Sequence, residues 1–230
     1  MTAIAANLQA VRERIARAAR AAQRSPGDIV LLAVSKTIPP ERIASAHAAG
    51  QQAFGENTAQ EAVEKITKLA SLHPAPDWHF IGPIQSNKTG PIAGHFQWVH
   101  SVERGRIAQR LNATRPEVLP PLNVCIQVNV SGEATKSGVA PGEEVELAEI
   151  ISRLPRLKLR GLMAIPEPTA DIVLQRRRFA LLRELKDGLA ARGHALDTLS
   201  MGMSDDFEAA IAEGATIVRV GTAIFGARRK

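Results

Sequence analysis

Residues 29–40 read IVLLAVSKTIPP, and the fold turns on them. Six of the first seven are apolar, Ser35 being the exception. An almost continuous apolar run of this length is how a strand buried on both faces reads, as in a parallel sheet. The run ends on Lys36, just ahead of a turn containing Pro39 and Pro40. Strands end at the surface, where a lysine is ordinary, so this segment alone leaves Lys36 either a solvated strand end or a functional amine.

Working outward, similar runs recur at 52–55, 78–82, 98–102, 123–130, 158–164, 198–201 and 216–220, which makes eight strands. Helical patterns fall between them at 40–49, 59–70, 104–112, 141–153, 171–192 and 205–213, with Gly50 and Gly214 as stop signals. Residues 85–95 are ambiguous because Gly90, Pro91 and Gly94 interrupt them. Ahead of the first strand, Ile4, Leu8, Val11 and Ile15 recur at helical spacing. Strands alternating with helices predict βαβ units and a parallel sheet. Eight units in about 200 residues predict an α/β fold: one small (β/α)8 TIM barrel over 1–230, with an extra N-terminal helix. A doubly wound sheet is the alternative, but it calls for glycines after the first strand, where this chain has SKTIPP.

The composition is that of an ordinary globular chain: 45% hydrophobic and 23% charged over 230 residues. A net charge of +6 favours anionic partners. Aromatics are only 3%, and no stacking platform interleaved with arginine occurs, so no nucleic-acid partner is expected. Cys125 stands alone, which suits a small core residue and a reducing, cytoplasmic setting. No signal peptide or membrane span is legible, so no membrane association is expected. The basic runs at 176–178 and 227–230 read as solvated faces.

In barrel enzymes the chemistry sits at the C-terminal ends of the strands. There this chain supplies Lys36, then Glu56 and Asn57 of FGEN, then SMGMSDD and RVGTAIFG after the last two strands. Barrel phosphate sites are typically built after strands seven and eight. Gly202 with Ser204, and Gly221 with Thr222, offer backbone N–H groups and hydroxyls there. The alternative is plain capping by Ser204 and a turn at Gly221, and Asp205 and Asp206 would repel a phosphate unless turned away. A lysine desolvated at a barrel mouth becomes an amine nucleophile for carbonyls. An aldehyde that also carries a phosphate is pyridoxal 5′-phosphate (PLP). A cofactor-free Schiff-base aldolase meets the same requirements. Arg219 lies in the otherwise apolar TIVRVG, where a guanidinium needs a partner. That partner is either a carboxylate such as Glu56 or Glu208, or the pyridine nitrogen of PLP, which an arginine would hold unprotonated.

The residues resemble the pyridoxal phosphate homeostasis protein family, also called the YggS/PROSC family, over the whole chain. WHFIGPIQSNKTGPI at 78–92 is the most specific stretch, and FGEN, KSG, RGLMAIP and LSMGMSDDFEAAIAEGATIVRVGTAIFGAR match as well. The resemblance implies a fold-type III PLP barrel like the N-terminal domain of alanine racemase, with Lys36 bonded to the cofactor as a Schiff base. It implies that Ser204, Gly221 and Thr222 hold the phosphate, that Arg219 faces the pyridine nitrogen, and that Asn57 and Met201 line the pocket. Lys136 matches a second lysine implicated in PLP handling; otherwise it is an exposed loop residue. His79 and Lys88 read as hydrogen-bonding and solvent-facing residues. Relatives often carry tyrosine where this chain has Thr58. The implied function is PLP binding in vitamin B6 and amino-acid homeostasis, without turnover. A monomer is expected, with PLP as its partner and PLP-dependent apo-enzymes as candidate recipients of it, although no docking surface is legible. A PLP-dependent amino-acid racemase is the enzyme alternative. Alanine racemases of this type use an opposing lysine and tyrosine and add a C-terminal β domain. The chain has no tyrosine and no legible second domain, which leaves His79 as the replacement base to consider.

Overall fold

The computed structural model describes residues 2–133 and 136–226. The basic tail at 227–230 lies outside the described residues. Eight parallel strands close in chain order: β1 (Val30–Val34), β2 (Ala53–Glu56), β3 (Asp77–Phe80), β4 (Trp98–Val102), β5 (Leu122–Gln127), β6 (Leu157–Met163), β7 (Thr198–Ser200) and β8 (Ile217–Val220). β1 pairs with β2 on one side and β8 on the other, with Leu32 opposite Arg219. This is the (β/α)8 barrel expected from the alternation of patterns.

The helices are α1 (Ala3–Ala21), α2 (Pro40–Ala48), α3 (Ala59–Lys68), α4 (Thr89–His95), α5 (Gly105–Thr114), α6 (Glu144–Ser152), α7 (Ile172–Ala191), α8 (Phe207–Ala212) and α9 (Thr222–Phe225). The ambiguous 85–95 resolves into a 3₁₀ turn (Ser86–Lys88) running into α4. The fifth strand stops at Gln127, short of 130. Beyond it Val128 bridges Val139, because the connecting loop folds back and takes up the backbone hydrogen bonds a longer strand would have used.

Side chains alternate across each strand. Leu32, Ala53 and Ile217 form a small cluster with Ile81 and Trp98 inside the barrel. A larger core, with Phe54, Phe80 and Phe207 fully buried or nearly so, lies between the strands and the helices. Each such ring contributes on the order of 2–3 kcal/mol by leaving water.

The N-terminal helix packs on the outside of the barrel. It buries Ile4, Leu8, Val11, Ile15 and Ala19, one apolar stripe at helical spacing. Its polar residues tie down the last loops. Asn7 Nδ2 donates to Ile224 O at 2.9 Å, and Arg14 Nη2 reaches Glu208 at 2.8 Å and Ser204 O at 3.3 Å. Arg42 of α2 donates to Phe225 O. Among the described residues no helix is long and apolar enough to cross a membrane.

Candidate functional site

A cavity of about 360 Å³ opens at the C-terminal end of the barrel, within the usual range of about 300–1,000 Å³ for ligand sites. Lys36, Asn57, Ser204, Arg219, Gly221 and Thr222 all line it. Residues separated by 186 positions of chain therefore meet at one mouth. Ile38, Ile81, Pro83, Ile165 and Phe225 supply apolar walls.

Two of the expected residues lie elsewhere. Met201 is fully buried in the core, and Met203 lines the cavity instead. Gly202 explains the exchange: its φ of +91° turns the chain between them, and a Cβ there would lie 2.9 Å from the Phe207 Cα. Lys136 sits in the loop after β5, outside the cavity lining, near the carboxylates of Glu133 and Glu167. Thr58 is exposed and precedes α3.

The two acids that would have opposed a phosphate are partly accounted for. Asp206 Oδ1 accepts from the Met203 backbone N–H at 2.5 Å, folding the loop rather than facing the mouth. Helix α8 begins at Phe207 with Asp206 before it, so Ser204 is not its cap, and Ser204 is among the residues lining the cavity. Gly82 matters for the opposite wall. A Cβ there would lie 2.1 Å from Asn57 O, so only glycine lets Asn57 lie against β3.

Arg219 does not pair with either expected carboxylate. Glu56 pairs with Lys65 and Glu208 with Arg14. Arg219 donates instead from Nη1 to Ser200 O at 2.7 Å and Ser200 Oγ at 2.8 Å, and from Nη2 to Ala164 O at 2.8 Å. It is 3% exposed, and burial pushes its pKa down to about 10 against the pull of Asp206. It remains a cation at neutral pH.

Behind it a polar chain crosses the barrel interior. His100 Nδ1 lies 2.7 Å from Ser200 Oγ, His79 Nδ1 lies 2.9 Å from His100 Nε2, and His79 Nε2 lies 3.1 Å from Asp77 Oδ2. The carboxylate end sets its sense when each ring carries one proton, since a carboxylate only accepts. Ser200 receives from Arg219 and donates to His100 Nδ1. His100 Nε2–H then donates to His79, and His79 Nε2–H to Asp77. Burial, with the neighbouring His79 and Arg219, holds the His100 pKa well below its ordinary value, which keeps the ring neutral. His79 is thus absorbed into the barrel interior and does not line the cavity. Sequence reading missed His100 and Ser200. Their signal was a polar residue at an inward position of an apolar strand, the same signal that exposed Arg219.

The fold and this cavity define a class: the barrel of the alanine racemase N-terminal domain, whose family model matches residues 4–229. Within it, the chain belongs to the pyridoxal phosphate homeostasis protein family. It is 62% identical over 228 residues to the pyridoxal phosphate homeostasis protein of Pseudomonas aeruginosa, covering 99% of this chain and 97% of that one. It is 54% identical over 232 residues to the protein of that name from Escherichia coli strain K12, covering 99% and 98%. PipY of Synechococcus elongatus, solved with PLP bound, superposes with a TM-score of 0.84 at 35% identity, covering 97% of this chain and 100% of that one. An alanine racemase from Corynebacterium glutamicum shares the fold, with a TM-score of 0.71 at 17% identity. This chain covers 61% of that enzyme's length.

Proposed function

We propose that this chain binds PLP at the barrel mouth and serves in intracellular PLP and amino-acid homeostasis, in the cytoplasm, without catalytic turnover. One observation carries the reading: Lys36, Arg219 and the Ser204, Gly221 and Thr222 loops converge on one cavity at the C-terminal end of the strands. The donor set fits the group. A primary amine suits an aldehyde, two loops of hydroxyls and backbone N–H groups suit a phosphate, and a permanent donor suits an unprotonated ring nitrogen. The relatives' names and the PLP-bound PipY structure support the same cofactor.

When bound, PLP supplies an aldehyde that the Lys36 amine can hold as a Schiff base with loss of water. The residues here do the rest. Ser204, Gly221 and Thr222 would hold the phosphate, Arg219 would donate to the ring nitrogen and keep it unprotonated, and Asn57 and Met203 would line the remaining wall. A ring held so is a weak electron sink, which suits binding over turnover. No tyrosine exists to act as a second base, and His79 is turned into the barrel interior. Lys136, half-buried, lies outside the cavity lining, so any PLP it handles would be held at a separate position.

The test is the near-ultraviolet and visible absorption of the protein beside Lys36→Ala. A band near roughly 420 nm in the first and none in the second is expected. No band in either after PLP is added would remove the reading. Steady racemisation of an amino acid, abolished in Lys36→Ala, would replace it with an enzyme.

A further inference from the structure

Val34 and Lys36 line the cavity, and Ser35 between them is buried on the other face of the wall. There, between β1, β2 and α3, lies a buried ionic cluster the cavity does not use. Lys65 is only 6% exposed. Its ammonium has three N–H donors and three acceptors: Ser35 O at 2.8 Å, Glu56 Oε1 at 2.9 Å and Glu61 Oε1 at 2.6 Å. The same two carboxylate oxygens grip the chain beside Lys36. Ser35 Oγ donates to Glu56 Oε1 at 2.6 Å, and the Thr37 backbone N–H donates to Glu61 Oε1 at 2.7 Å.

Thr37 explains what the grip holds. Its φ is +64°, in the left-handed region that β-branched residues rarely adopt. Nothing in threonine favours that turn, so the surroundings must impose it. The carbonyl before Lys36 and the N–H after it are both fixed by one cluster, and these two groups define where the Lys36 Cα leaves the strand. Glu56 is fully buried, and its Oε2 has no hydrogen-bond partner among the described residues. Lys65 is therefore the compensating charge that lets this carboxylate stand behind the strand.

We propose that Lys65, through Glu56 and Glu61, is a positioning residue for Lys36: a buried clamp on the far side of the barrel wall that fixes the turn from which the amine reaches the cavity. The proposal rests on the reading of Lys36 as the group that receives the aldehyde. It adds that the reactivity of this lysine is set by residues that never touch the ligand.

The test measures the rate at which apo protein forms a borohydride-reducible PLP adduct on Lys36, quantified by peptide mass spectrometry. Acetic anhydride labelling of Lys36 runs in parallel as a readout independent of PLP. Glu61→Ala frees the Thr37 N–H and leaves the Lys65–Glu56 pair intact, so it keeps the experiment interpretable if Lys65→Met fails to fold. Displacing a reacting group by about 1 Å can cost up to about 100-fold, and a drop of at least about tenfold in PLP adduct formation is expected in both variants, with an altered acetylation rate as the surroundings of the amine change. Glu61→Gln keeps an acceptor for Thr37 and should recover most of the wild-type rate. Wild-type rates in Glu61→Ala and in folded Lys65→Met would overturn the clamp. Equal losses in Glu61→Gln and Glu61→Ala would overturn the hydrogen-bond account of it. If wild-type protein forms no Lys36 adduct with PLP, the functional reading fails, while the acetic anhydride rates still decide the clamp.

Discussion

Two arginines in this barrel are buried alike and do different things. Arg115 is 4% exposed and Arg219 is 3% exposed. Neither makes an ion pair among the described residues, and both spend their donors on neutral oxygens. Arg115 Nη1 donates to Ala93 O at 2.6 Å and Phe96 O at 2.8 Å, and its Nε to Pro120 O at 2.9 Å. Those carbonyls end α4 and begin the approach to β5, so Arg115 ties together chain that has no other donor to hand. Arg219 holds Ala164 and Ser200 in the same manner, yet its other side borders the cavity. Burial lowers the pKa of both. A buried charge is therefore not a site by itself. It becomes one where its neighbours leave room for a ligand and other donors point into the same space.

The contrast predicts that both substitutions cost stability and only one costs ligand affinity. Arg115→Leu strips three carbonyls, two of which, Ala93 O and Phe96 O, lie in packed protein where water cannot replace the lost donor. The expected destabilisation is the largest here, about 3 kcal/mol or more, read as a lower urea midpoint with PLP affinity unchanged. Arg219→Leu strips oxygens of Ala164 and Ser200, both in fully buried residues, so it too should cost stability, about 2 kcal/mol or more. Its main effect should be on the ligand: about tenfold or more weaker PLP binding, for a lost hydrogen bond to a charged group, with an altered absorption band. Equal PLP affinities in the two variants would dissolve the distinction.

His100 sharpens the comparison by pH. Its native pKa lies well below the ordinary value, chiefly through burial. The unfolded chain therefore takes up a proton on His100 at a higher pH than the native protein does. Stability from this group is fully present above about pH 6.5 and is lost as the pH falls toward the native value. The slope reaches at most about 1.4 kcal/mol per pH unit. His100→Gln should flatten the difference between urea midpoints at pH 7 and pH 5 relative to wild type. An unchanged difference would mean that the ring is not held neutral behind Arg219.

The same pair of arginines shows what the sequence made legible. Arg219 stood out because it interrupts TIVRVG, an apolar strand, where any charge demands an explanation. Arg115 sits in NATRPEVLPP, a polar connection, where an arginine reads as solvated. Its burial comes from α4 and the segment before β5 closing over it, which no local pattern encodes. Lys65 was hidden for a like reason, since one lysine on an amphipathic helix reads as outward-facing. Eight strands were legible because each is a short apolar run between polar connections. Their exact ends were not, as the fifth strand shows, because ladder pairing stops where a neighbour stops. The mouth residues on strand ends were legible from ordinal position in the barrel. Met203 in place of Met201 was not, because the glycine between them reverses which side chain faces inward.

The smallest expected effect concerns α1, which lies wholly outside the barrel. Asn7 Nδ2 donates to Ile224 O at 2.9 Å, and Ile224 belongs to the short helix that begins directly after Gly221. Asn7 thus bears on the segment that begins at the loop assigned to the phosphate. Asn7→Ala removes one hydrogen bond, worth about 1 kcal/mol. The loss should appear as a few-fold weaker affinity for PLP, while the affinity for pyridoxal, which has the same aldehyde and ring but no phosphate, stays as in wild type. Equal weakening toward both compounds would show that α1 supports the barrel generally. Weakening toward PLP alone would show that an element outside the closed sheet tunes one half of the site, which neither arginine can do.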